Sequence, residues 1–232
     1  MRIAVRKEDL KIASKLLSNM SDEFLFSVEE NTLKCQVWEP SQTMLTNVNI
    51  SIVNPDEVED KFILKKDELN TVIALSDKLV SISFTDKWVI IDGLKILKGS
   101  PVLKYPVKRD DIPKASISDS EFKKFIDAIK FSRNYFDGYD IIMTNDTLTL
   151  TSKDYVSNTV REITKKFKIS MDNPKKNLNS KYSSDYLYAI TRVLTKAKDV
   201  YIHINNNFPI VIYGKINDVS FEQILAPRIE DI

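Results

Sequence analysis

Residues that commonly carry catalysis are scarce in this sequence. His203 is the only histidine and Cys35 the only cysteine among the 232 residues. An internal disulfide, a Cys-x-x-Cys pair and a zinc site built on histidines are therefore excluded. No second histidine or cysteine supports a catalytic role for His203, so we expect this side chain to face solvent or a helix. Cys35 alternates with Leu33 and Val37, which predicts a small core residue.

Two acidic clusters are the remaining candidates for chemistry, as ligands of Mg²⁺ in a nuclease. The clusters comprise Asp56, Glu57, Glu59 and Asp60, and Asp110 and Asp111. Both lie in segments with a loop-like composition and no strand to hold them, so we interpret them as solvated loop charge. A metal-dependent nuclease is kept as an alternative, which Mg²⁺-dependent cleavage of DNA would favour.

Phosphate-binding glycine loops are excluded as well. The chain has four glycines, Gly93, Gly99, Gly138 and Gly214, and no two of them have the spacing of a dinucleotide-binding or nucleoside-triphosphate-binding loop. Together with the scarcity of histidine and cysteine, this spacing predicts a protein that is not an enzyme and that holds no catalytic residue, no metal and no cofactor.

The composition is that of an ordinary folded chain. Hydrophobic residues make up 43% and charged residues 29%, and 34 Lys and Arg against 33 Asp and Glu leave a formal net charge of +1. The length fits one large domain or two small ones. The longest apolar runs, such as Trp88–Ile91, are only as long as a strand, and the first residues become charged too early for a signal peptide. A single unpaired cysteine fits an intracellular protein.

Apolar periodicity predicts the same series of helices and strands twice. Helical spacing indicates helices at about Lys7–Met20, at about Asp67–Leu75, after a cap at Asp119 or Ser120, and from about Ser184. The apolar faces of the first, third and fourth helices carry Leu10, Ala13, Leu17 and Met20; Phe122, Phe125, Ile126 and Ile129; and Leu187, Ile190, Leu194 and Ala197. Alternating segments predict strands at 24–28, 33–37, 48–52, 62–64, 79–84, 88–91, 141–144, 148–151, 159–169, 200–204, 210–216 and 219–225.

Three short sequence patterns recur at a nearly constant offset. The matched segments are 8–11 with 120–123, 30–33 with 145–148, and 67–69 with 185–187, at offsets of 112, 115 and 118 residues. Because these offsets are close to half the chain, they indicate an internal repeat. We predict two similar α+β domains, 1–104 and 117–232, each with two helices on an antiparallel sheet. The charged, proline-containing segment 105–116 is predicted to be the connector; the alternative is a surface loop within one domain.

Four segments resemble, in order, the motifs of one protein family. Ile224–Asp231 resembles the terminal motif of the DNA sliding clamps of archaea and eukaryotes, the proliferating cell nuclear antigen (PCNA) family. Glu39–Ser41 with Gln42–Leu45 is similar to its acidic–Pro–Ser turn, Asn207–Ile212 to its penultimate hairpin, and Lys104–Val107 to the end of its first domain. The resemblance implies a ring, a trimer of two-domain subunits, that encircles duplex DNA, tethers polymerases and other DNA enzymes, and is opened by an ATP-driven loader.

The resemblance also implies which residues face DNA, because the helices of a clamp line its central hole. The implied DNA-facing residues are Lys11, Lys15, Lys123, Lys124, Lys130, Tyr188, Arg192 and Lys196. The second helix offers Asn70, Thr71 and Ala74, where family members often place lysines. Cations at these positions would contact phosphates without reading bases. The alternative interpretation is that these side chains form ordinary solvated helix faces.

Two protein-binding surfaces follow from the same resemblance. The implied pocket for a client peptide comprises Trp38, Gln42, Thr43, Leu45, Val107, Ile112, Pro209, Ile224, Leu225, Ala226 and Pro227. The alternative interpretation is that Leu45 and Leu225 are core residues and that Trp38 shields a domain edge. The implied subunit interface pairs segments 96–105 and 155–163, through Leu97, Val102, Leu103, Tyr155, Val160 and Ile163. Gly99 and Pro101 weaken the first of these edges as a strand template. A homotrimer, a heterotrimer and a monomer all remain open.

Two functions fit these observations. The first is a sliding clamp and polymerase processivity factor that lies with DNA inside the cell, in the cytoplasm or nucleoid. The second is an accessory protein with the clamp fold, such as a subunit of a mixed clamp or a transcription or checkpoint factor, that does not close a ring alone. The net charge of +1 departs from the strongly acidic character that is usual in the family.

Overall fold

The series of helices and strands in the first half of the chain is repeated in the second half. The computed structural model describes residues 2–54, 59–98, 112–156, 159–171 and 177–228. The first series is β1 (Arg2–Arg6), α1 (Lys7–Leu17), β2 (Glu23–Glu29), β3 (Thr32–Trp38), β4 (Met44–Ser51), β5 (Asp60–Lys65), α2 (Lys66–Leu75), β6 (Leu79–Phe84), β7 (Trp88–Ile91) and β8 (Leu94–Leu97). The second is β9 (Lys114–Ile117), α3 (Asp119–Ser132), β10 (Gly138–Met143), β11 (Thr147–Val156), β12 (Thr159–Met171), β13 (Leu178–Ser183), α4 (Ser184–Thr191), β14 (Lys198–His203), β15 (Ile210–Ile216) and β16 (Val219–Leu225).

The chain divides into two compact units. Unit 1 comprises residues 1–107 and 216–221, and unit 2 comprises 108–215 and 222–232. Strand β16 is therefore shared between the units. The α+β class predicted from the sequence is confirmed.

Unit 1 contains two antiparallel sets of strands. One has the order β4-β3-β2-β5 and the other β1-β6-β7-β8. Strands β2 and β3 alternate buried and less buried residues, as a sheet with one face on the core requires. Phe26 and Phe62 lie directly opposite each other on β2 and β5, with their rings stacked at 5.3 Å. Helix α1 packs on β4 and α2 through the apolar face predicted from its sequence.

The strands of unit 2 are also antiparallel, and they form one continuous set with the order β13-β10-β11-β12-β9-β14-β15. Helix α3 packs on β12 and α4, and Phe125 of α3 meets Phe167 of β12 edge to face at 5.4 Å. The hydroxyl of Ser118 caps α3 by accepting the N–H of Glu121. The predicted caps, Asp119 and Ser120, instead lie in the first turn of the helix.

Turns that usually need glycine are made by other residues. In the described part of the chain, the residues other than glycine with a positive φ are Glu30, Gln42, Asp92, Asp199, Asn207 and Asn217. Asn and Asp tolerate this conformation because their short polar side chains bond locally. This use of Asn and Asp explains how a chain with only four glycines forms so many tight hairpins.

Some element boundaries differ from those predicted. Helix α1 ends at Leu17 rather than Met20, and α4 ends at Thr191, although Leu194 and Ala197 beyond it are buried as predicted. Residues 114–117 form strand β9, paired with β12 and β14, so the last part of the predicted connector belongs to the sheet of unit 2. None of the helices in the described ranges is long and apolar enough to cross a membrane.

Candidate functional site

Helix α1 presents lysines opposite its core face. Lys11 and Lys15 are exposed, whereas Leu10 and Ala13 are buried. The Nζ of Lys11 lies 3.4 Å from a carboxylate oxygen of Glu8, one turn earlier on the helix. The side chain of Lys11 is thus partly neutralised within its own helix.

The second helix of unit 1 has a polar but uncharged surface at the positions considered above. Asn70, Thr71 and Ala74 are exposed, and the side-chain oxygen of Asn70 accepts the hydroxyl of Ser14 on α1 at 3.2 Å. This hydrogen bond and the packing of α1 on α2 join the two helices. The lysines of α1 therefore supply the positive charge predicted for this pair of helices.

In unit 2, helix α3 packs on α4, and cations were predicted on both helices. All of the predicted cations here are exposed: Lys123, Lys124, Lys130, Arg192 and Lys196. Tyr188 is half-buried, and its ring lies 3.9 Å from the guanidinium carbon of Arg133 and 5.9 Å from that of Arg192. Sequence analysis missed Arg133, which is the residue that caps the carboxyl end of α3. Its place four residues after the last apolar residue of the α3 stripe, Ile129, is the signal that could have identified it.

A carboxylate moderates the charge of α3. Glu121 pairs with Lys124 at 2.6 Å and also accepts the backbone N–H of Lys168 on β12 at 3.1 Å. The hydrogen bond from Lys124, and next that from Lys168, holds the pKa of Glu121 below its usual value. The ionised carboxylate therefore links the first turn of α3 to β12 and offsets one lysine of the predicted DNA-facing set.

The acidic–Pro–Ser turn of unit 1 is held together by the carboxylate of Glu39. This carboxylate accepts the backbone N–H and the hydroxyl of Ser41, and it accepts the hydroxyl of Thr43 at 3.1 Å. Gln42 has a φ of 60° at the tip of the turn and is exposed. Trp38, the last residue of β3, is half-buried and lies opposite Leu45.

Three of the predicted pocket residues are in the core instead. Leu45, Ile224 and Leu225 are 2%, 5% and 1% exposed. Both faces of the strand are covered at these points, since the consecutive residues Ile224 and Leu225 of β16 point to opposite faces and are both buried.

The remaining pocket residues of unit 2 keep some accessible surface. Ile112, Pro209, Ala226 and Pro227 are half-buried. The chain just beyond Pro227 is fixed to β13, because the backbone N–H of Arg228 donates to the carbonyl of Lys181 at 2.7 Å. Val107 lies outside the described residues.

The predicted subunit interface falls partly on a groove in unit 2. Val160 and Ile163 of β12 line a groove of about 870 Å³ beside the carboxyl-terminal half of α3. Tyr155 is on β11 and lies opposite Val160 in the register, and Leu97 is on β8 in unit 1 with 62% of its side chain exposed. Val102 and Leu103 lie outside the described residues.

The groove also contains aromatic residues that the sequence analysis did not select. Phe131 is 77% exposed and Tyr135 is 50% exposed, with ring centroids 6.4 Å apart. Both line the groove, and the guanidinium of Arg161 lies 5.8 Å from the ring of Tyr135. Phe131 falls outside the apolar stripe of α3, and an aromatic residue off that stripe was the available signal.

The residues first considered for catalysis are placed apart from these surfaces. His203 is half-buried on β14 with its ring 5.1 Å from that of Tyr213, and Cys35 is buried on β3. Asp60 pairs with Lys98. Asp56, Glu57, Asp110 and Asp111 lie outside the described residues, and no group of three or more metal-ligating side chains occurs within the described ones.

No protein-family model and no curated protein sequence matches the chain. Among solved structures, PCNA from Thermococcus kodakaraensis matches at a TM-score of 0.76 and 17% identity, over 98% of this chain and 99% of that one. The PCNA2–PCNA3 complex of Sulfolobus tokodaii matches at 0.75 and 17%, over 99% and 100% of the two chains. A. fulgidus PCNA with the bound C-terminal region of FEN-1 matches at 0.76 and 18%, over 100% and 99%. The chain therefore has the PCNA clamp fold from one end to the other.

Proposed function

We propose that this chain is a subunit of a DNA sliding clamp, a processivity factor that encircles duplex DNA and tethers polymerases and other replication and repair enzymes. The observation that carries the proposal is the clamp fold along the whole chain, with exposed cations on helices of both units. A tether works by topology and protein contacts, so on this proposal the protein is not an enzyme and needs no cofactor.

The helical cations are suited to weak contact with the DNA backbone. Lys15 and Lys130 are exposed on helices, Lys196 is exposed in a turn beyond the end of α4, and Lys124 is already paired with a carboxylate. Lysine and arginine contacts to phosphates carry no sequence information and weaken steeply with salt, as a sliding protein requires. The guanidinium groups of Arg133 and Arg192 both lie near the ring of Tyr188, which places two cations near one another.

Partners of the proposed clamp follow from the same likeness. A. fulgidus PCNA binds the C-terminal region of FEN-1, and PCNA2 and PCNA3 of Sulfolobus tokodaii form a complex. We propose that short peptides of client enzymes bind this chain beside the Glu39–Ser41 turn, where Gln42 is exposed. The proposal also includes an ATP-driven loader, a trimeric ring of like or unlike chains, and a place with DNA inside the cell.

A second function is supported by the charge of the subunit edges. Strand β12 carries Arg161, Lys165, Lys166 and Lys168, whereas Lys95 lies on β8 and Lys98 directly follows it. Two basic edges pair poorly, which favours a clamp-fold protein that needs a different chain to close a ring, or an accessory factor that closes none.

Retention on circular DNA tests the proposed function. The full chain, with the loader and any partner clamp chains of its source, is incubated with nicked circular plasmid and passed through a sizing column. A sliding clamp stays with the plasmid at high salt and is released when the plasmid is cut once. Equal loss from circular and linear plasmid would contradict the proposal, and Mg²⁺-dependent cleavage of the plasmid would favour a nuclease.

A further inference from the structure

Strand β12 has an edge that is open to pairing. It pairs with β11 through 159–168, and with β9 on its other side only through 169–171. Residues 160–167 thus have no strand partner on the β9 side within the described part of the chain, and the backbone N–H of Lys168 donates to the carboxylate of Glu121. Unpaired backbone groups along a strand are a template for addition of another strand.

The groove beside this edge offers apolar contacts to an added strand. Its lining includes Phe167, buried against α3, and Ile163, half-buried on β12. Phe131 and Tyr135 are exposed on the α3 side. Exposed aromatic residues next to a buried apolar floor are typical of a protein-binding surface.

The charge of the groove indicates the chemistry of its occupant. The charged residues that line it are Lys124, Arg161, Lys165 and Lys166, with Asp127 and Glu162. Because Lys124 is paired with Glu121, the excess positive charge lies on β12. Cross-strand pairs of opposite charge stabilise a sheet, and like charges destabilise it, so an acidic strand fits this edge.

The chain's own exposed edge lacks that chemistry. Strand β8 ends its set of strands and pairs only with β7 among the described strands. The sequence from Leu94 to Arg109 contains five Lys and Arg and no Asp or Glu. Because Lys98 is paired with Asp60, Lys95 is the basic residue of the β8 edge that a second copy would set against Lys165 and Lys166.

We propose that the β12 edge and its groove bind an acidic edge strand of a clamp subunit with a different sequence, rather than the β8 edge of a second copy. The inference rests on the proposed clamp function, in which an edge strand of one subunit pairs with the next. It adds that the ring contains unlike chains and that charge selects the neighbour.

Charge exchange between the two edges tests this inference in the full chain. The acidic-groove variant is Lys165→Glu/Lys166→Glu, and the acidic-edge variant is Lys95→Glu/Lys98→Glu. Solution mass is measured from nanomolar to micromolar concentration at low and high salt. Lys198→Glu/Lys215→Glu is the matched control, because these exposed lysines lie opposite each other on β14 and β15, away from the groove.

We expect the wild type and the control to stay monomeric, and the acidic-groove variant to self-associate at low salt. The acidic-edge variant keeps the basic groove, so it should also self-associate at low salt, and it should form a complex with wild-type chain. A chain that carries both reversals should be less prone to self-association than the acidic-groove variant. Adding Phe131→Ala should weaken both complexes at least tenfold. If the Lys98 change disturbs folding by breaking its pair with Asp60, Lys95→Glu alone replaces it.

Three outcomes would overturn the inference. A wild-type trimer would show that the basic edges do pair with each other, and it would leave the proposed clamp function intact. Unchanged masses for both reversed variants would show that charge does not select the neighbour. Binding of a fluorescent oligothymidylate that is lost in Lys165→Glu/Lys166→Glu, with no change in mass, would assign the groove to single-stranded DNA. Plasmid retention with partner chains reports on the proposed function separately.

Discussion

The guanidinium carbon of Arg133 lies 3.9 Å from the centroid of the Tyr188 ring, joining the carboxyl end of α3 to the middle of α4. Arg192 approaches the same ring at 5.9 Å. The contact joins α3, whose exposed lysines are proposed to meet DNA, to α4, whose carboxyl end is capped by the exposed Arg192.

Replacing Arg133 should therefore affect both stability and DNA binding. We expect Arg133→Ala to lower the free energy of unfolding by about 0.5–1 kcal/mol, the usual value of a cation–π contact at a partly exposed site. Arg133→Lys should keep the charge and lose most of this contact, because lysine lacks the planar group that stacks on a ring. Urea unfolding of Arg133→Ala, Tyr188→Ala and the double variant measures the coupling free energy between the two side chains. If the two single losses in the free energy of unfolding add up to that of the double variant, the contact is contradicted.

The helical cations should determine how steeply DNA binding depends on salt. Changing Lys11, Lys15, Lys124 and Arg192 together to Ala should reduce the log–log salt slope by roughly three to four, if each residue neutralises one phosphate. Binding of a short duplex is measured by fluorescence anisotropy over a series of salt concentrations. The control changes exposed lysines off the helices, Lys61, Lys87, Lys198 and Lys215, and should leave the slope nearly as it is. An unchanged slope in the helical variant would reject the assignment.

Two glycines should resist substitution for different reasons. A Cβ at Gly138 would lie 3.0 Å from the backbone oxygen of Tyr182, so Gly138→Ala should cost about 1–3 kcal/mol through overpacking. Gly93 has open space around it but a φ of +90°, so there the cost is conformational. Thermal unfolding should show a smaller fall in Tm for Gly93→Asn than for Gly93→Val. At Gly138 the fall in Tm should increase with the size of the new side chain.

The buried thiol of Cys35 should be unreactive in the folded protein. Burial raises the pKa of Cys35 well above its usual value, so the group stays protonated where an exposed thiol would ionise. The unfolded chain releases this proton at a lower pH, so the stability contribution is full below the unfolded pKa and falls as pH rises above it. Labelling with a thiol reagent should be slow in buffer and fast in urea. Cys35→Ala should flatten the alkaline loss of stability, and fast labelling of native protein would contradict this placement.

Equivalent positions of the repeat should respond alike. Leu33 on β3 and Leu148 on β11 are both fully buried and lie 115 residues apart. Each change to Ala should cost about 2–5 kcal/mol, as for other large-to-small changes in a core. Hydrogen exchange should show that amide protection falls mainly in unit 1 for Leu33→Ala and mainly in unit 2 for Leu148→Ala. The same pattern of loss for both variants would mean that the units unfold as one.

The sequence was sufficient for the repeated order of elements because the core faces are strongly periodic. Every apolar residue predicted for the faces of α1 and α3 is buried. Strand β9 was missed because its buried residues, Ala115 and Ile117, follow a charged, proline-containing segment, and β13 because Ser180 and Tyr182 take core positions that apolar residues would normally mark. Strand prediction from periodicity relies on the alternation of apolar and polar residues, so it does not detect a strand whose buried residues carry hydroxyl groups.

The candidate site was less predictable than the fold. Exposed lysines could be placed on helix faces from spacing alone, but the pairing of Lys124 with Glu121 and the stacking of Arg133 on Tyr188 depend on tertiary contacts. Leu225 alternates with Phe221 as core residues do, whereas Leu45 is out of phase with Val48 and Ile50; both are buried although the family resemblance placed them in a pocket. The groove beside β12 needs α3 and β12 to be adjacent, which no local pattern encodes.

The open edge of β12 has a cost for a freshly synthesised chain. Long unpaired strands seed aggregates when identical molecules meet in a crowded solution, and lysines along such strands act as gatekeepers against it. Lys165, Lys166 and Lys168 are exposed there. These lysines, which are proposed to prevent pairing with a second copy, would also keep newly synthesised chains soluble until a partner subunit binds.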